Sequence, residues 1–112
     1  MSDKKLKQLL EELQKELKLL LKDKLNKIIL YGSYANKTFD EESDVDIMVL
    51  TSLSDYEIKK VYEHIDELSS KLSLEYEVLI SILVKSAEKF YNYSDILPLY
   101  KNVLKEGVAV YG

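Results

Sequence analysis

Four residues in this chain have the types and spacing to handle a polyphosphate: Gly32, Ser33, Asp44 and Asp46. Gly32-Ser33 follows the apolar, β-branched run Lys27-Ile28-Ile29-Leu30-Tyr31 and precedes a short helical stretch. Backbone N–H groups at such a bend, with a hydroxyl beside them, bind phosphate oxygens. Asp44 and Asp46 open a second apolar run, Val45 to Leu50. Residues two apart along a strand face the same side, so both carboxylates point one way. Two like charges that close repel each other, and a cation relieves the repulsion. Ligands made only of oxygen suit Mg²⁺. A phosphate cradle beside a metal-binding carboxylate pair describes a phosphoryl- or nucleotidyl-transfer site.

The rest of the chain must hold that cradle and that pair together. Ser2 caps a helix that runs to about Lys24, with Leu6, Leu9, Leu10, Leu13, Leu17, Leu20 and Leu21 on one face. The stripe is short for a coiled coil, so it is expected to pack on the chain's own sheet. After the first strand, Tyr34 to Lys37 forms a helical turn and Thr38 to Ser43 a polar loop whose acids, Asp40, Glu41 and Glu42, are solvated. Ser54 or Asp55 caps the next helix, with Glu57 in its first turn and Ile58, Val61, Tyr62, Ile65, Leu68 and Leu72 on its buried face. A strand is expected over Leu74 to Val84, then helices around Ala87–Tyr91 and Ile96–Glu106, the latter capped by Asp95 with Pro98 in its first turn. Gly107 ends that helix as a C′ glycine does, and Val108 to Tyr111 reads as a final strand. The order of elements predicts an α/β (α+β) fold: a small mixed sheet of three to four strands flanked by helices. His64, the single histidine, falls beside a buried stripe and reads as ordinary surface. Tyr34, inside the glycine turn, reads as core filler ahead of a base-stacking role.

Gly32-Ser33-x-Ala35 followed by Asp44-x-Asp46 on an apolar strand resembles the nucleotidyltransferase superfamily that includes DNA polymerase beta. At this length the chain is similar to the minimal nucleotidyltransferases (MNT), often partnered with HEPN-domain proteins. The resemblance runs roughly from Ile28 to Tyr111, and its motif demands residue types, spacing and strand context together. It implies that Asp44 and Asp46 hold Mg²⁺, that Gly32 and Ser33 receive the triphosphate, and that an acceptor hydroxyl attacks the α-phosphorus of ATP. It also implies a third carboxylate on the following strand, for which Glu77 is the candidate and Glu75 the runner-up. Where the family often has Arg-Gly, this chain has Asn36-Lys37, and Lys37 is the candidate to supply positive charge near the phosphates. The implied activity is AMP transfer to a tyrosine of a HEPN toxin, which makes the chain an antitoxin. Transfer to a small molecule is the other enzymatic option. Neutralisation of the partner by contact alone, without catalysis, is the alternative outside enzymology.

Composition sets the outer bounds. A length of 112 residues suits one domain, expected to span 1–112. A chain 46% hydrophobic and 32% charged can build a real core and a wet surface. A net charge of −4 argues against broad nucleic-acid binding. All 16 basic residues are lysine, so the bidentate arginine fork is absent from any phosphate site. There is no cysteine to form a disulfide. No secretory signal and no bilayer-length apolar run are read, so the cytoplasm is the expected compartment.

Overall fold

Four leucines one helical turn apart, Leu9, Leu13, Leu17 and Leu21, are all buried, and they fasten helix α1 (Asp3–Leu21) to the sheet. Ser2 caps α1 by accepting from the Lys5 N–H at 3.1 Å. The computed structural model describes residues 1–112. A 3₁₀ turn at Lys22–Lys24 leads into β1 (Leu25–Tyr31); then follow α2 (Ser33–Asn36), β2 (Val45–Thr51), α3 (Asp55–Tyr76), β3 (Ile80–Ser86), α4 (Ala87–Tyr93), α5 (Pro98–Glu106) and β4 (Val108–Tyr111).

The four strands form one mixed sheet in the order β3-β2-β1-β4. β1 pairs antiparallel with both β2 and β4, whereas β2 and β3 run parallel, joined by the α3 crossover. One face of the sheet carries Ile28, Leu30, Val45, Ile47, Val49, Ile80, Ile82 and Val84, packed against α1 and α3 in a core of 19 buried residues. The other face carries Ile29, Met48 and Leu50, covered by Phe90 of α4 and Val103 of α5. The leucine stripe of α1 is therefore spent on the chain's own sheet, as expected. The mixed sheet flanked by helices also agrees with the sequence.

Two boundaries differ from the sequence expectation. The strand expected from Leu74 starts at Ile80, because α3 continues to Tyr76. Its start is fixed by a capping box: Glu57 N–H donates to Ser54 Oγ at 3.2 Å and Ser54 N–H donates to Glu57 Oε1 at 3.0 Å. Its end is fixed by serines that tie it to β3. Ser69 Oγ donates to the Ile80 carbonyl at 2.5 Å, and Ser73 Oγ accepts from the Ile80 N–H at 3.2 Å. Glu77 closes the helix in the left-handed conformation, φ 54°, with its N–H on the Ser73 carbonyl. The second difference is the cap of α5. Pro98 sits in the first turn, as read, but Leu97 rather than Asp95 takes the N-cap position, without a side-chain hydrogen bond. A proline favours an extended residue before it, which moves the helix start to that bond. Gly107 ends α5 with extended backbone, φ −68°, rather than a left-handed turn. Glycine is needed there for space: a Cβ would strike the Val103 carbonyl and the Ile29 side chain.

Candidate active site

Antiparallel pairing of β1 with β2 brings the end of one strand beside the start of the other. Tyr31 stands opposite Asp46, so the bend at Gly32-Ser33 falls next to the acidic mouth of β2. Val45 and Ile47 are fully buried in the α1–α3 core. The alternation of the strand therefore turns Asp46 to the opposite face, and Asp44, the residue just before β2, stands close enough to act on it by charge. Asp44 is exposed and Asp46 half-buried. Burial, and then the charge of Asp44, push the Asp46 carboxyl above its ordinary value. The Tyr31 hydroxyl beside it is pushed up to about 12, by burial first and by Asp46 second.

Gly32 is demanded twice over. Its backbone lies at φ 74°, ψ −155°, which L side chains rarely adopt. A Cβ there would strike Asp46 Oδ2 and stand 3.3 Å from Asp46 Cγ. The bend thus leans directly on the carboxylate, leaving a cradle that a methyl would fill. Beyond it, Ala35 and Asn36 both return their N–H groups to the Gly32 carbonyl, at 3.1 and 3.2 Å. The N–H groups of Ser33 and Tyr34 lie at the first turn, where no intrahelical acceptor exists. Tyr34 is buried and stacks on Phe39, with ring centroids 4.4 Å apart and planes 11° from parallel. It is core filler that anchors the turn. Lys37 caps α2 in the left-handed conformation, φ 62°, with an exposed side chain. Asp40 is spent inside the loop: its Oδ1 accepts from the Glu42 N–H at 2.9 Å and from Ser43 Oγ at 3.2 Å.

The two remaining acidic candidates form no metal-holding group with the pair. Glu77 is the exposed C-cap of α3, not a strand residue. Glu75 lies within α3 and faces Glu12 of α1, raising that carboxyl after the larger effect of burial. No group of three His, Cys, Asp or Glu side chains is placed to hold a metal ion. In the parallel register, the β3 residue beside Asp46 is Ser81, which is exposed. Sequence reasoning missed Ser81 and Tyr31 as neighbours of the pair. Tyr31 was in plain view as the last residue of β1, but the pairing with Ser81 follows only from where α3 stops.

The donor set fits Mg²⁺. The metal needs oxygen ligands, keeps several waters, and is held by one or two carboxylates with substrate phosphates. Asp44 and Asp46 supply the carboxylates, and their crowding is the repulsion a cation relieves. The largest cavity, about 660 Å³, is at the other end of the sheet, lined by Thr51, Ser54, Asp55, Ser86 and Lys89 among others. There Lys89 pairs with Asp55, and Ser54 and Ser86 cap the adjoining helices with their own side chains.

A glycine-serine bend leaning on Asp46 at the mouth of β2, with Asp44 just before it, agrees with the family whose profile matches residues 6–110, the nucleotidyltransferase domain. The chain belongs to that family. Two relatives from Methanocaldococcus jannaschii, provisionally named protein adenylyltransferases, support the placement of this nucleotidyltransferase. One is 39% identical over 77 residues, covering 69% of this chain and 76% of the relative. The other is 34% identical over 102 residues, covering 91% and 94%. Among solved structures, a toxin–antitoxin complex with AMP-PNP contains a chain that superposes with TM-score 0.55 at 22% identity, covering 100% of this chain and 74% of that one. A complex of a tri-AMPylated Shewanella oneidensis HEPN toxin with its MNT antitoxin gives TM-score 0.51 at 22% identity, covering 94% and 71%. These structural likenesses carry the fold.

Proposed function

We propose that this nucleotidyltransferase is an Mg²⁺-dependent protein adenylyltransferase that moves AMP from ATP to a tyrosine hydroxyl of a HEPN-type toxin. The observation that carries the reading is the Gly32 bend pressed against the Asp46 carboxylate, with the charge of Asp44 beside it. The names of the M. jannaschii relatives and the AMPylated complex of the S. oneidensis antitoxin point the same way.

In this reading Asp44 and Asp46 hold the metal, while the Gly32-Ser33 backbone and the Ser33 hydroxyl orient the phosphates. Lys37 lends a positive charge near them. Bound Mg²⁺ would neutralise phosphate charge as it builds on the leaving group. The acceptor oxygen forms a bond to the α-phosphorus as the bridging bond to the β-phosphate breaks. Pyrophosphate leaves, and the acceptor proton passes to water. The chain itself contributes positioning and preorganised charge, which supply most of the rate enhancement in this kind of transfer.

The test combines the purified chain, labelled ATP, Mg²⁺ and the protein encoded beside it. Label on that protein, lost in the double variant Asp44→Ala/Asp46→Ala, is the expected result. A stable complex that carries no label and survives the double substitution would establish neutralisation by contact instead. The absence of a third acidic partner for the pair is what favours that second reading.

A further inference from the structure

We propose that the site handles one divalent ion per nucleotide, because Ser81 occupies the place on β3 from which a further carboxylate would hold a second. The inference rests on the nucleotidyltransferase reading above and concerns the side of Asp46 that faces away from the nucleotide.

Strand geometry defines the neighbours of Asp46 on its face. Adjacent strands lie about 4.8 Å apart, with Tyr31 on the β1 side and Ser81 on the β3 side. Two residues on, Met48 closes the sheet floor, fully buried. Beside Asp44 runs Leu79, whose carbonyl accepts from the Val45 N–H at 2.9 Å and whose side chain is exposed. None of these four side chains is anionic. The Oδ2 of Asp46 lies against the Gly32 bend, the side the proposed function gives to the phosphates. On the β3 side of Asp46 the register supplies a serine and no acid. A pair of ions clamping both oxygens of an in-line displacement stands about 3.5–4 Å apart. Holding two like charges so close calls for an anionic ligand beyond the aspartate pair, and the β3 neighbour of Asp46 is a neutral serine. The nucleotide-borne ion, gripped by Asp44 and Asp46, is the one this set supports. The acceptor hydroxyl then meets a serine rather than a carboxylate on the β3 side of Asp46.

Counting ions tests this apart from turnover. Mn²⁺ is titrated into AMP-PNP held by a molar excess of the chain, and bound ions are counted by the loss of the free Mn²⁺ paramagnetic signal, read against that of AMP-PNP alone. The native chain and Ser81→Ala are expected to bind one ion per nucleotide, and Ser81→Asp two. Two tight ions in the native chain would overturn the proposal, as would a single ion in a folded Ser81→Asp variant with native nucleotide affinity. If Ser81→Asp misfolds, Ser81→Glu takes its place, and the native count alone still decides the first point. Absence of any nucleotide-dependent Mn²⁺ binding would overturn the functional reading itself and this inference with it.

Discussion

Asp46 stores unfavourable electrostatics in the resting fold. Its carboxyl is raised by burial and by Asp44, so the folded chain holds that proton more tightly than the unfolded chain does. Between the unfolded and the raised folded value, the native state binds more protons, and stability falls as pH rises through this window. Asp46→Asn removes that dependence. Thermal melts across the carboxylate range should show a variant that is no less stable than the native chain at neutral pH, with a flatter pH profile, and that transfers no AMP. Stability given up for function is common at active sites. At this scale Gly32, Ser33, Asp44 and Asp46 could be singled out as candidates because a glycine-serine bend at a strand end and acids two apart at the next strand carry meaning together, not one by one. Ser81 could not, because a serine on an apolar strand acquires meaning only from the residue across from it.

The boundary between α3 and β3 shows why elements were harder to read than residues. Leu74, Tyr76 and Val78 alternate with polar residues and mimic a strand. Helical continuation wins because Leu72 is fully buried and Ser69 and Ser73 bond to Ile80. The stop signal is hidden too, since Glu77 takes a left-handed conformation where glycine would announce it. Such a conformation costs an L-residue about 1–2 kcal/mol, partly offset by the extra freedom glycine has when unfolded. Glu77→Gly is therefore expected to raise stability by up to about 1 kcal/mol. The measurement is the urea midpoint at constant slope. The same variant should retain AMP transfer, which separates the capping role of Glu77 from the third-carboxylate role its sequence position suggested. The long amphipathic helices were legible for the opposite reason: the leucines of α1 and the Ser54–Glu57 box are local signals that nothing distant contradicts.

For the molecule as a whole, the mixed sheet holds two polar ends apart. The aspartate pair and the glycine bend occupy one end, and the Asp55–Lys89 pair and the largest cavity occupy the other. No helix is long and apolar enough to cross a membrane. A ligand that binds only the folded chain stabilises it by about 2.7 kcal/mol at one hundred times its dissociation constant. Mg²⁺ with ATP should raise the melting temperature of the native chain and leave that of Asp44→Ala/Asp46→Ala where it is. A rise of equal size in the double variant would place nucleotide binding away from this end. The fold class was legible from the order of elements, whereas the strand order β3-β2-β1-β4 was not, since it depends on contacts between the two ends of the chain.

The bare α-carbon at position 107 offers a way to loosen the molecule without disturbing its chemistry. A methyl introduced by Gly107→Ala acts as a wedge between Ile29 and the tail of α5, prising the last ribbon from β1. That ribbon borders the sheet on the side away from β3. Melting should drop while the Mn²⁺ count per nucleotide holds steady, so a change in that count would mean that the far border of the sheet governs the acidic mouth.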